Sequence, residues 1–114
     1  MPKLSSFYVE VTTGEHGRED IPVFAINGFN LPFDDVDGDC HPGSTLKATG
    51  NPDSFPHALH LVGPAEGSWD IQQVKITYFP QGETPYSMVF GAATLDDESS
   101  LNIWKRRPAP AFDV

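Results

Sequence analysis

Apolar residues along this chain recur at every second position, in runs that glycine and proline interrupt at short intervals. Residues 7–12, Phe-Tyr-Val-Glu-Val-Thr, are aromatic and β-branched and stop at Gly14. Residues 21–26 run up to Asn27-Gly28, and residues 58–62, Ala-Leu-His-Leu-Val, end at Gly63-Pro64. Residues 70–79 alternate with Ile71, Val74, Ile76 and Tyr78 as the inward set, the count slipping by one near Gln73. Residues 86–90 and 101–104 complete the series. Alternation with period two marks a strand with one face in a core. Ten glycines and eleven prolines leave no helical stripe beyond a single turn at residues 96–100. The pattern predicts an all-β protein: a single-domain antiparallel sandwich or small barrel of six or seven short strands. The β domain is expected over residues 1–107, with 108–114, Pro-rich at its start, as an extended C-terminal tail.

Length and composition agree with one folded domain. The 114 residues are 39% hydrophobic and include two Trp, three Tyr and eight Phe, enough for a core. Charge narrows the partners. Sixteen acids against seven bases give a formal net charge of −9. Three of the bases are Lys105, Arg106 and Arg107, so before residue 105 fifteen acids face four bases. Such a surface repels phosphate, which argues against nucleic acid and anionic membranes and favours cations or a basic protein patch. No apolar run approaches the ~18 residues needed to cross a bilayer. No apolar stretch follows the opening Met-Pro-Lys-Leu-Ser-Ser, so no secretory leader is expected. Cys40 is the only cysteine, which excludes an intramolecular disulfide and a four-cysteine zinc site and fits a reducing cytoplasm.

The stretch richest in chemistry is Leu31-Pro32-Phe33-Asp34-Asp35-Val36-Asp37-Gly38-Asp39-Cys40-His41-Pro42-Gly43. Asp35, Asp37 and Asp39 have the D-x-D-x-D spacing of the first five positions of an EF-hand loop. Calcium takes about 6–8 oxygen ligands, and alternate aspartates on a curling loop can supply several of them. The EF-hand match then ends. Cys40 stands where the sharp-turn glycine belongs, Leu46 where the bidentate Glu belongs, and Pro32 and Pro42 oppose flanking helices. What stays open is a calcium loop on a β scaffold or a solvated turn, since Asp and Gly are common in turns. Four carboxylates in six residues repel one another, and a cation would relieve that repulsion. Calcium suits this hard-oxygen set better than magnesium or zinc. Asp35, Asp37 and Asp39 are the primary candidate ligands and Asp34 a fourth, with Asp96, Asp97 and Glu98 as completing or secondary donors. That second cluster also reads as a solubilising run at a helix start.

Other groups carry less. His57 and His60 are three apart, a spacing that puts strand side chains on opposite faces. Cys40-His41 is a poor nucleophile pair, because neighbours in a chain point apart and the carboxylates around Cys40 hold its proton on. Glu15-His16-Gly17-Arg18-Glu19-Asp20 carries mixed charge, with Arg18 able to neutralise one acid. Trp69, Trp104, Tyr78 and Tyr86 read as core or half-buried sheet residues, a sugar-binding platform being the alternative for the two tryptophans. No phosphate loop, nucleophile elbow or metalloprotease pattern is present, so catalysis is not expected.

A small acidic chain with Asp34-Asp35-Val36-Asp37-Gly38-Asp39 and no EF-hand resembles the cyanobacterial calcium-binding proteins of the CcbP type. That resemblance implies a cytoplasmic protein that sequesters calcium and modulates its free level during cell differentiation. The expected function is thus an intracellular calcium buffer working through a non-EF-hand loop. The alternative is an acidic interaction domain, of inhibitor or immunity type, that presents a negative face to a basic partner.

Overall fold

The computed structural model describes residues 3–105; the tail expected at 108–114, with Arg106 and Arg107, lies outside them. Ten strands follow one another: β1 (Leu4–Thr13), β2 (Val23–Ile26), β3 (Phe29–Pro32), β4 (Asp34–Asp37), β5 (Thr45–Gly50), β6 (Leu59–Val62), β7 (Trp69–Pro80), β8 (Tyr86–Phe90), β9 (Ala93–Leu95) and β10 (Ser100–Asn102). Among the described residues there is no helix, and the turn expected at 96–100 is a plain turn. All pairings are antiparallel. The larger sheet runs β4-β5-β1-β7-β8, with β9 also on β7, and the smaller one runs β10-β6-β2-β3. The architecture is a two-sheet sandwich, as the alternation predicts, built from more strands than the six or seven expected.

The strands not foreseen have physical reasons for being silent. β4, Asp-Asp-Val-Asp, is exposed at every position and shows no apolar alternation. β5 alternates, but its inward residues are Leu46, Ala48 and Gly50, two of them small. β3 is an exposed edge strand, joined to β2 by the Asn27-Gly28 turn with both residues at positive φ (50° and 89°). Such a turn matches the strand twist, and Asn-Gly tolerates it best.

The inward set of β7 is the expected one: Ile71, Val74, Ile76 and Tyr78 are all buried. The slip near Gln73 is a β-bulge, since Thr12 pairs with Gln73 while Thr13 pairs with Ile71. One extra residue on β7 restores the phase so that Trp69 and Ile71 turn back to the core. Between the sheets Phe7, Phe24 and Phe33 pack edge-on or tilted, with centroids 5.0–6.1 Å apart. Phe33 is the single residue between β3 and β4, and it is buried. Its side chain anchors the crossing of the chain from the small sheet to the large one at that edge.

Candidate functional site

The sandwich has two ends, and one of them gathers acids. β1 finishes there while β5 and β7 begin there, as the pairs Thr12↔Thr45 and Thr13↔Ile71 fix. β4, on the far side of β5 from β1, runs in the same direction as β1, so Asp37 and the following residues 38–44 also arrive at this end. Loop 14–22 folds over it. Gly14 N–H donates to Asp70 O (2.7 Å), Asp70 N–H to His16 O (2.8 Å), Thr13 N–H to Ser44 O (2.9 Å) and Arg18 N–H to Cys40 O (2.9 Å). Glu15, Glu19, Asp20, Asp37, Asp39 and Asp70 therefore share one end of the molecule. Among the described residues, loops 14–22 and 38–44 hold one Lys or Arg, Arg18.

Arg18 is committed to the fold. Its side chain is only 8% exposed. Nε and Nη2 fork onto the Asp20 carboxylate at 2.9 and 2.6 Å, and Nη1 donates to Val62 O at 3.2 Å. The guanidinium lies over the Trp69 ring, 5.2 Å from its centroid. The Arg18 hydrogen bonds hold the Asp20 carboxyl below its ordinary range. With its one guanidinium so engaged, the end keeps a net negative charge. Two of the remaining bases, Lys47 and Lys75, stand in register on either side of Glu10 on the outer face of the large sheet.

The candidate ligands separate into two places. Asp34, Asp35 and Asp37 form the exposed edge strand β4, not a loop. Asp34 pairs with Thr49 and Asp37 with Lys47, three steps against two, so β4 carries a bulge. Asp35 takes the extra conformation (φ 50°), which breaks the alternation that would align Asp35 with Asp37. Asp34 accepts from Asn51 Nδ2 at 2.8 Å. Asp39 accepts from the His41 amide at 3.1 Å, and that bond above all lowers its carboxyl pKa. Gly38 at φ 85° presses against β5; a Cβ there would lie 2.2 Å from Thr45 O.

Asp96, Asp97 and Glu98 lie between β9 and β10, which approach each other at the edge away from β3 and β4. The strand order thus keeps this cluster from completing a site with Asp34–Asp37. Asp96 caps its own turn, accepting from Glu98 N–H (2.9 Å) and Ser99 Oγ (3.0 Å), and both lower its pKa, the Glu98 amide most. Among the described residues, no three His, Cys, Asp or Glu side chains converge as a metal-holding group. The carboxylates as placed do not fit a calcium ion without rearrangement.

The remaining candidates have structural places. Trp69 is fully buried and donates Nε1–H to Thr13 Oγ1 at 3.0 Å, so it is no sugar platform. Trp104 is half-buried edge-on against Tyr78. His60 Nδ1 meets Ser100 Oγ at 3.0 Å across β6 and β10. Cys40 is buried, and desolvation first, then Asp39 and Asp20 against the opposing pull of Arg18, pushes its thiol up to about 11. Sequence reading missed the ties of this end, Arg18 to Trp69 and His16 to Asp70. Their partners are about fifty residues apart in the chain, and no local pattern joins them. Compared with known proteins, the chain matches no protein family, no curated protein sequence and no solved structure.

Proposed function

We propose that this protein is an interaction domain whose acidic end docks a basic surface of a protein partner. The observation that carries the reading is the gathering of Glu15, Glu19, Asp20, Asp37, Asp39 and Asp70 at one end, where Arg18 is already spent on Asp20 and Trp69. Carboxylates spread over an end, rather than converging on one point, suit many weak contacts to a cationic surface better than one tight cage. Steering by such a field gives fast association that salt slows, because charges beyond about 8–10 Å are screened at physiological ionic strength. Binding, not catalysis, is the chemistry, and a lone buried thiol suits a reducing cytoplasm.

The test uses a fluorescent oligolysine peptide and two charge-neutralised variants. E15Q/E19Q/D37N/D39N alters the acidic end; D34N/D53N/E83Q, at the other end where β1 begins and β7 finishes, removes a similar charge. The end variant is expected to lose several-fold more affinity, with a shallower salt dependence. Equal losses from both variants would show that net charge alone is felt and would overturn the reading.

A second reading, calcium sequestration, rests on four carboxylates within residues 34–39, all but Asp39 on the exposed side of the strand. The resemblance to CcbP-type proteins points the same way. It requires Asp35, Asp37 and Asp39 to turn toward one point, with Asp34 as a further donor. Asp96, Asp97 and Glu98 would then bind separately.

A further inference from the structure

We propose that residues 14–22 form a proton-tuned latch over Cys40, closed by the side chain of His16 against Asp70 of β7. The latch is built from both backbone and side chain. Asp70 N–H donates to His16 O (2.8 Å), His16 N–H reaches Asp70 Oδ2 (3.3 Å), and His16 Nδ1 lies 2.8 Å from the same oxygen. The other Asp70 oxygen accepts from Thr94 Oγ1 at 2.8 Å, so β9 fixes the carboxylate that receives the ring. One residue further along, the segment rests on the chain beneath it: a Cβ on Gly17 would lie 2.2 Å from Cys40 O, and the Arg18 amide donates to that oxygen. Cys40 itself is 1% exposed. Releasing the His16 ring from Asp70 removes the side-chain hold on one flank of this cover, the Arg18 contacts holding the other.

The proton decides how firm the hold is. With the ring protonated, Nδ1–H donates to a carboxylate in a charge-assisted bond, roughly twice as strong as a neutral one. The hydrogen bond to Asp70 and, behind it, the Asp70 charge raise the His16 pKa, and Glu15 on the same loop adds to the pull. The other titratable or charged groups lining the cleft beside His16 are few. Arg18 and Glu19 come from its own loop and His41 from residues 38–44, while Gly67 and Ser68 close the cleft without charge. Because the folded, closed form holds the proton more tightly, closure is favoured at low pH and relaxes as the pH rises through the His16 pKa.

The reactivity of Cys40 reads the latch directly. Dithiodipyridine, a disulfide that thiols attack even in acid with loss of thiopyridone, would be reacted with the full chain and with Asp70→Asn from about pH 5.5 to about pH 8.5. The ratio of the two rates cancels the ionisation of the thiol. At the acid end the variant is expected to react about two- to five-fold faster, the range that exposed ion pairs reach. The ratio should fall toward one as the pH rises, with its midpoint at the His16 pKa read by NMR, which should lie above that in the variant. His16→Gln, neutral at every pH, should give the same declining ratio and serves if Asp70→Asn fails to fold. A ratio that does not change with pH, or His16 titrating identically with Asp or Asn at position 70, would overturn the proposal.

Discussion

Arg18→Ala tests whether the acidic end is held by one buried cation. The substitution removes three contacts at once: the fork to Asp20, the bond to Val62 O and the stack on Trp69. Asp20 is 65% exposed, so the fork counts as a surface pair of about 1 kcal/mol at most. The stack on a desolvated indole contributes about 1 kcal/mol. Leaving the Val62 carbonyl unpaired costs about 1 kcal/mol more. Together the loss is about 2–3 kcal/mol, worth roughly 8–12 °C in Tm for a domain near 100 residues. Lys3→Ala is the control, because its 3.4 Å pair is to an Asp53 open to solvent, and it should shift Tm by no more than about 2 °C. Differential scanning calorimetry in low and high salt reads both. Arg18→Lys should recover little, since an ammonium cannot fork onto Asp20 and reach Val62 O together. If Arg18→Ala lost no more than Lys3→Ala, the guanidinium would be an ordinary surface charge and the account of this end would fail.

Gly38→Ala should cost about 2 kcal/mol or more in urea unfolding, because its φ of 85° and the Thr45 carbonyl both oppose a side chain. Gly43→Ala, at φ 79° with open space around it, should cost only the conformational part, about 1 kcal/mol; equal losses would show that Thr45 yields. Calcium and magnesium at equal millimolar concentration should raise Tm alike and slightly; a calcium-specific rise abolished by D37N/D39N would instead favour sequestration. Asp20, Asp39, Asp70 and Asp96 all have carboxyl pKa values below the ordinary 3.8. Their contribution is complete above 3.8 and lost as the pH falls through the lowered native values, so stability should decline in that acid range. Asp20→Asn should flatten part of the decline, and an unchanged acid slope in that variant would refute its share. His16 has the opposite sign: its contribution is complete below its ordinary 6.5 and lost as the pH rises through the raised value.

The fold class was readable from the chain because alternation is local. Each segment declares by itself whether one of its faces is apolar, and even the bulge on β7 left its mark as a slip beside Gln73. Trp69, read as a core or half-buried sheet residue, is buried, and the thiol of Cys40 is raised as its neighbouring carboxylates suggest, though burial is the larger cause. The acidic run at 34–39 was equally plain as composition. Its conformation was not, since a strand exposed on every side has no pattern that distinguishes it from a loop. Only the tertiary structure decided where the acids stand. The strand order put Asp96, Asp97 and Glu98 at the edge opposite Asp34–Asp37, and brought them, with Glu15, Asp20 and Asp70, to the end that Asp37 and Asp39 share. That order is set by which buried faces meet across the core, a property of pairs far apart in the chain. Charge along the sequence therefore determined that the protein is acidic, and the packing of its two sheets determined which part of its surface presents that charge.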